Sequence, residues 1–142
     1  MNIFVVVPTF NESYTIGSIV KALRLRDFRV VVVDDGSLDH TIVDANKFGA
    51  ELIVHSKNQG KGRCIREGIY YALENGCDAV ITMDGDGQHD LRDIDKFIDE
   101  YKEKGSDIII GNRMHNPKQM PFIRLWTNRF MSFVISRIVG KR

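Results

Sequence analysis

The sequence predicts an α/β protein built on a doubly wound, mostly parallel sheet with helices on both faces. Three observations carry that expectation. Five short runs rich in Val and Ile are nearly continuous and do not alternate with polar residues, the pattern of strands covered on both sides. Stretches of helical length separate consecutive runs, as in chains wound from βαβ units. Each run also ends in a polar or glycine-rich loop, so the topology delivers five such loops to the rim where ligands of open α/β sheets bind.

In chain order, "NIFVVVP" (Asn2 to Pro8) is the first strand, and a helix over Ser13 to Leu25 follows, with Ser13 or Thr15 as its cap. "FRVVVVDD" (Phe28 to Asp35) leads into a helix over Asp39 to Phe48, capped by Asp39. "AELIVHS" (Ala50 to Ser56) precedes Lys61 to Glu74, and "DAVITMD" (Asp78 to Asp84) precedes Leu91 to Lys104. "SDIIIG" (Ser106 to Gly111) is expected as a fifth strand. Gly49, Gly76 and Gly105 stand just past three helix ends. In the fourth helix Leu91, Ile94, Phe97, Ile98 and Tyr101 share one face. Residues 121–142 read as a basic amphipathic helix: Arg124, Asn128, Ser132 and Ser136 form a polar stripe opposite Phe122, Trp126, Phe130 and Ile138. The expected organisation is a core over 1–120 and this helix, apparently cut short, over 121–142.

With 142 residues, 43% of them hydrophobic and 27% charged, the chain can bury a core without disulfide or zinc staples, and it is not of disordered composition. Cys64 and Cys77 lack CxxC spacing and read as reduced, packed thiols. No charged leader precedes an apolar stretch, and no run of ~18 uncharged apolar residues could span a bilayer. A cytoplasmic protein is expected. The net charge of +1 conceals an asymmetry, because all 19 acidic residues lie at or before Asp107 and the 35 residues after it carry 7 basic ones. A basic tail on an acidic body suits phosphates or an anionic membrane surface; nucleic acid is not expected as a partner.

The chemistry concentrates in "MDGDGQHD". Asp84 and Asp86, two apart on a turn leaving a strand, can converge on a hard cation such as Mg²⁺ or Mn²⁺, which prefers oxygen ligands and leaves positions for water and phosphate. An EF-hand, an aspartyl phosphatase and a solvated acidic turn compete with this reading; the EF-hand lacks its sixth-position Gly and twelfth-position Glu. Asp34 and Asp35, before Gly36-Ser37, could bond a ribose hydroxyl or a base N–H, or belong to a capping loop. Asn11 and Glu12 offer polar contacts. Gly60-Lys61-Gly62 opens a helix and so offers an anion site, without the full phosphate-loop or dinucleotide signatures. Arg113 could meet a phosphate.

Taken in order, "VVVPTFNE", "VVVDDGSLDHT", "NQGKGRCIREGIYYA", "DAVITMDGDGQHD" and "IIIGNR" resemble the successive motifs of glycosyltransferase family 2, whose fold is called GT-A. Within it the chain is most similar to the polyprenyl-phosphate sugar transferases, including the dolichyl-phosphate mannosyltransferase-like enzymes. The resemblance implies a metal-dependent inverting transferase that moves a sugar from a nucleotide diphosphate (GDP or UDP) to a polyprenyl phosphate. It implies that Pro8, Phe10 and Glu12 cradle the base, with Asp35 or Asp34 on base or ribose and Lys61 near the nucleotide. Asp84 would contact ribose or metal, Asp86 and Gln88 would hold Mg²⁺ or Mn²⁺, and His89 would lie beside them. Arg113 and Arg124 would face donor or acceptor phosphate. The implied location is the cytoplasmic face of a membrane, against lipid or a membrane subunit. Asn112 stands where the family often has Ser, and a further acidic segment of the family is not in the sequence. The rival expectation is therefore a nucleotide-sugar-binding module or membrane-complex scaffold impaired in turnover.

Overall fold

The computed structural model describes residues 1–111. Eight elements alternate: β1 (Ile3–Thr9), α1 (Ser13–Arg24), β2 (Arg29–Asp34), α2 (Thr41–Lys47), β3 (Glu51–Val54), α3 (Lys61–Glu74), β4 (Ala79–Thr82) and α4 (Asp93–Lys104). The strands are parallel in the order β3-β2-β1-β4. From β1 the chain winds outward to β2 and β3, and then α3 returns it across the sheet to the free side of β1. With right-handed crossovers this reversal places α1 and α2 on one face and α3 on the other; α1 packs on α2, and α3 on β1 and β2. The doubly wound expectation holds.

Continuous valine runs make this possible. Val5, Val6 and Val7 of β1 and Val30 to Val33 of β2 are fully buried, because successive side chains point to opposite faces and both faces are covered. Phe4, Val6, Val31 and Val33 meet Cys64 and Ala72 of α3. Gly68 lets α3 approach closely, since a Cβ there would lie 2.3 Å from Val6 Cγ1. Against the other face α1 buries Ile16, Ile19, Val20 and Leu23. Each such side chain contributes on the order of 1.5–3 kcal/mol, so the apolar part of the stability resides in the sheet and its helices.

Helix ends follow local chemistry. Gly49, Gly76 and Gly105 adopt the left-handed φ that ends a helix. The expected caps are corrected: the N-cap positions are Glu12 for α1 and His40 for α2, and neither side chain caps its helix. Asp39 precedes the α2 cap; one carboxylate oxygen accepts from Thr41 N at 3.0 Å and Thr41 Oγ1 at 2.5 Å, the other from Ser13 N at 3.2 Å, so it ties the starts of α1 and α2 together. Burial opposes its charge, but these bonds hold its pKa down to about 2.

Met1–Lys96 form one compact unit, and a second begins at Phe97. In the first, Arg26 donates to the Leu91 carbonyl at 2.7 Å and pairs with Asp95, anchoring the approach to α4. In the second, Phe97 sits against Gly111. The expected fifth strand is corrected. Ser106 to Gly111 make no ladder, and Ile108 and Ile110 are 79% and 85% exposed. A run of β-branched residues specifies a surface that could be buried, but a strand also needs a hydrogen-bonded partner, and this run pairs with none among the described residues. The expected boundary at residue 120, the 121–142 helix, Arg113 and Arg124 lie outside the described residues.

Candidate active site

A cleft of about 260 Å³ opens at the carboxyl ends of the strands, where the winding direction reverses between β1 and β4. Pro8, Thr9, Phe10 and Glu12 reach it from β1, Asp35 from β2, Asn58, Gly60, Lys61 and Cys64 from the start of α3, and Asp84, Gly85 and Asp86 from β4. Pro8, Phe10, Glu12, Asp35, Lys61, Asp84 and Asp86, all expected from sequence, are thus brought together. Asp34 and Gln88 are not among the lining residues. Asp34 is buried, and its Oδ2 accepts from Gly36 N and Ser37 N at 3.2 and 2.9 Å, closing the turn after β2. Gln88 donates its backbone N–H to Asp86 Oδ1 at 2.9 Å, and its side chain is exposed.

The β4 turn is fixed from α1. Thr15 Oγ1 donates to the Gly85 carbonyl at 2.5 Å, and a Cβ on Gly85 would come within 2.8 Å of Thr9 Cγ2. Only a residue without a side chain allows this approach, which sets Asp84 and Asp86 on either side of it. Lys61 Nζ lies 2.5 Å from Asp84 Oδ1, and His89 Nε2 lies 3.7 Å from Asp84 Oδ2. Partial burial works against the Asp84 charge, yet the Lys61 ammonium prevails and holds this carboxyl below its usual range. Thr9 Oγ1, at the cleft's floor, is buried with no partner among the described residues.

Asp35 occupies the back of the cleft. Its Oδ1 accepts from Gln59 N and its Oδ2 from Gly60 N, both at 2.8 Å, pinning the loop before α3 to the end of β2. His55 Nδ1 lies 2.8 Å from the same Oδ1, and His55 Nε2 lies 2.6 Å from Glu67 Oε2. Burial would raise the Asp35 pKa, but the bonds from His55, Gln59 and Gly60 bring it below the ordinary value. Sequence reasoning missed His55 and Glu67. A histidine ending a strand and a glutamate inside a helix look ordinary; the available signal was that Cys64 and Glu67, three apart, share the helix face turned towards that strand end.

Among the described residues two groups could hold a cation. Asp84 and Asp86 offer oxygen donors in the open cleft, and Asp84 already keeps a cationic partner there. This donor set fits Mg²⁺ or Mn²⁺. Asp35, His55 and Cys64 have ligand atoms within 4.8 Å of one another, but sulfur and imidazole suit softer ions. Burial and the Asp35 charge push the Cys64 thiol up to about 11, and both His55 nitrogens are engaged. That group is a closed hydrogen-bond network.

Fold and cleft together define an open, doubly wound α/β domain with a cleft at the switch point. The model for the family "Glycosyl transferase family 2" matches residues 4–138, and the chain belongs to that family. It is 29% identical over 163 aligned positions to a UDP-N-acetylglucosamine–dolichyl-phosphate N-acetylglucosaminyltransferase of Methanococcus voltae, covering 97% of this chain and 63% of that one. It is 30% identical to a dodecaprenyl-phosphate galacturonate synthase of Rhizobium johnstonii, covering 99% of this chain and 44% of that one. The chain therefore spans less than two-thirds of the length of these relatives. The crystal structure of mannosyl-3-phosphoglycerate synthase from Rubrobacter xylanophilus shares the fold, with a TM-score of 0.55, 24% identity, and coverage of 66% of this chain and 33% of that one.

Proposed function

We propose that this chain supplies the donor site of a metal-dependent, inverting glycosyltransferase that passes a sugar from a nucleoside diphosphate to a polyprenyl-type phosphate. One observation carries the reading: residues from four strand ends, Asp84, Asp86 and Lys61 among them, converge on a single cleft at the switch point. Membership of glycosyl transferase family 2 and the substrates named for the two relatives support the substrate class.

Pro8, Phe10 and Glu12 form the wall for the base, and Asp35 the back of the cleft. The N-terminus of α3 faces the diphosphate, with its dipole and Lys61 countering negative charge. Asp86 with Asp84 would hold Mg²⁺ or Mn²⁺. When bound, such an ion stabilises the charge developing on the departing diphosphate, an effect worth several kcal/mol. An acceptor phosphate oxygen forms the new bond to the anomeric carbon as the bond to the diphosphate oxygen breaks on the opposite side, which inverts that carbon. A phosphate acceptor is already ionised near neutral pH, so no side chain has to remove its proton. Arg113 and Arg124 are proposed for the acceptor side on sequence alone. The basic stretch after Asp107 suits the cytoplasmic face of a membrane; no helix among the described residues is long and apolar enough to cross one.

The test is a panel of UDP- and GDP-sugars scored by thermal stabilisation with and without Mn²⁺, where a ligand at 100 times its Kd adds about 2.7 kcal/mol. Manganese-dependent stabilisation by one or more of them is expected, and no shift with any would refute the donor site. Labelled-sugar transfer to a short polyprenyl phosphate then separates turnover from a binding module.

A further inference from the structure

We infer that His55 is a positioning residue for the donor site: held between Asp35 and Glu67, it fixes the loop and helix start that present Gly60 and Lys61 to the cleft. The inference rests on the donor-site reading and deepens it.

The geometry counts protons. Both ring nitrogens of His55 lie within hydrogen-bond distance of a carboxylate oxygen, Asp35 Oδ1 at 2.8 Å and Glu67 Oε2 at 2.6 Å. A neutral imidazole carries one N–H and one lone pair, so it can satisfy only one ionised carboxylate and would turn its lone pair on the other. Two carboxylates are satisfied together by imidazolium, which donates twice. The His55 side chain is 5% exposed and that of Asp35 6%, so water is a poor substitute for the bond between them, while Glu67 is 29% exposed. The hydrogen bond to Asp35 and then that to Glu67 raise the His55 pKa above 6.5, against the effect of burial. Around the ring stand Asp35 from β2 and Cys64 and Glu67 from α3, with Arg63 2.7 Å from Glu67 Oε1.

His55 is not among the cleft-lining residues, and its effect passes through Asp35. The carboxylate that bonds His55 also receives the backbone N–H groups of Gln59 and Gly60, and Lys61 follows them directly. Loss of the His55 proton leaves one carboxylate facing a lone pair. The relief of that repulsion moves Asp35 or Glu67, and with Asp35 goes the loop that places Lys61. Raised in the folded state, the His55 pKa makes its stabilisation complete below about 6.5 and lost as pH rises through the folded value.

The experiment is calorimetric titration with the nucleotide sugar selected from the panel above, with Mn²⁺, between about pH 6 and 8.5, where a sugar-capped diphosphate does not itself titrate. Wild type is expected to lose about tenfold in affinity across the His55 titration, the scale on which groups that orient a ligand's direct contacts act. His55→Asn keeps an N–H donor towards Asp35 and does not titrate, so it should retain most of the affinity and show no pH break. His55→Gln reaches towards Glu67 and leaves Asp35 without its donor, and should lose about tenfold at pH 7. A wild-type profile that is flat, or a break that persists in His55→Asn and so belongs to another group, overturns the inference even if the variants are unstable. Equal affinity in His55→Asn and His55→Gln does the same. If wild type binds no nucleotide sugar at any pH, the donor-site reading has failed, and the inference falls with it.

Discussion

Asp34 and Asp35, at the end of β2, are buried and bonded to backbone N–H groups, whereas Asp84 and Asp86, after β4, face the cleft and Asp84 is partnered by a lysine side chain. Both pairs leave parallel strands at the same rim and read alike in sequence. A buried carboxylate that holds two main-chain N–H groups cannot change partners without moving the loop it holds, so it builds the site; Asp86, half-buried, takes one such bond, from Gln88 N–H to its Oδ1. A carboxylate paired with a long flexible side chain can exchange that partner for a cation on a ligand, so it is available for binding. The same residue type thus serves as scaffold in one loop and as ligand group in the other.

The sharpest way to break this comparison is to remove one scaffold carboxylate. Asp35→Ala leaves the Gln59 and Gly60 N–H groups and a buried imidazolium without their acceptor. Removing one partner from a buried charged network costs about 3–5 kcal/mol, so urea unfolding should show a loss of that order. Because the Asp35 pKa is lowered on folding, its stabilisation is present above the unfolded value of about 3.9 and is lost as pH falls through the folded one. Wild-type stability should therefore fall on acidification more steeply than that of Asp35→Ala. Parallel acid limbs would show that Asp35 is not the scaffold described.

The converse prediction concerns Asp86→Ala. Among the described residues its carboxylate accepts one hydrogen bond, from the Gln88 N–H, and unfolding free energy should change by no more than about 0.5 kcal/mol, as for a surface substitution. Manganese-dependent affinity for the nucleotide sugar should drop at least tenfold, on the order seen when metal sites are disturbed. Calorimetry that finds unchanged affinity, or unfolding that finds a large stability loss, would place Asp86 with the scaffold acids.

Sequence alone made the sheet and most of the cleft legible, for a common physical reason. Strands buried on both faces cannot alternate, so Val5 to Val7 and Val30 to Val33 announce a parallel sheet. A parallel sheet in turn places every loop that follows a strand on one rim, which brought Pro8, Phe10, Glu12, Asp35, Lys61, Asp84 and Asp86 together before any distance was known. Ser106 to Gly111 failed as a strand because apolar pattern describes a face and pairing requires a hydrogen-bonded partner. Asp34 and Asp35 could not be assigned separately, since their exposure differs from that of Asp84 only through hydrogen bonds made across the loop. His55 and Glu67 were illegible because their meaning lies in one ring lying between two carboxylates, a contact that joins β2, β3 and α3 and that no local spacing encodes.

The smallest expected effect is the most discriminating. Lys61 and Asp84 have side chains 58% and 37% exposed, and a pair so accessible contributes at most about 1 kcal/mol to folding. Lys61→Met should therefore barely move the unfolding midpoint. Its binding phenotypes should diverge, because Lys61 neutralises the same carboxylate that a divalent ion needs and yet faces the same diphosphate. Without nucleotide, Mn²⁺ affinity measured by electron paramagnetic resonance should rise, by no more than about fivefold, the equivalent of that 1 kcal/mol. With nucleotide sugar, affinity should fall, since a cation at the mouth of α3 has been removed. If both affinities fall together, Lys61 helps to shape the metal site and does not compete with it. If neither changes, the ion pair with Asp84 is a surface contact, and the contrast between exchangeable and fixed carboxylates rests on Asp86 alone.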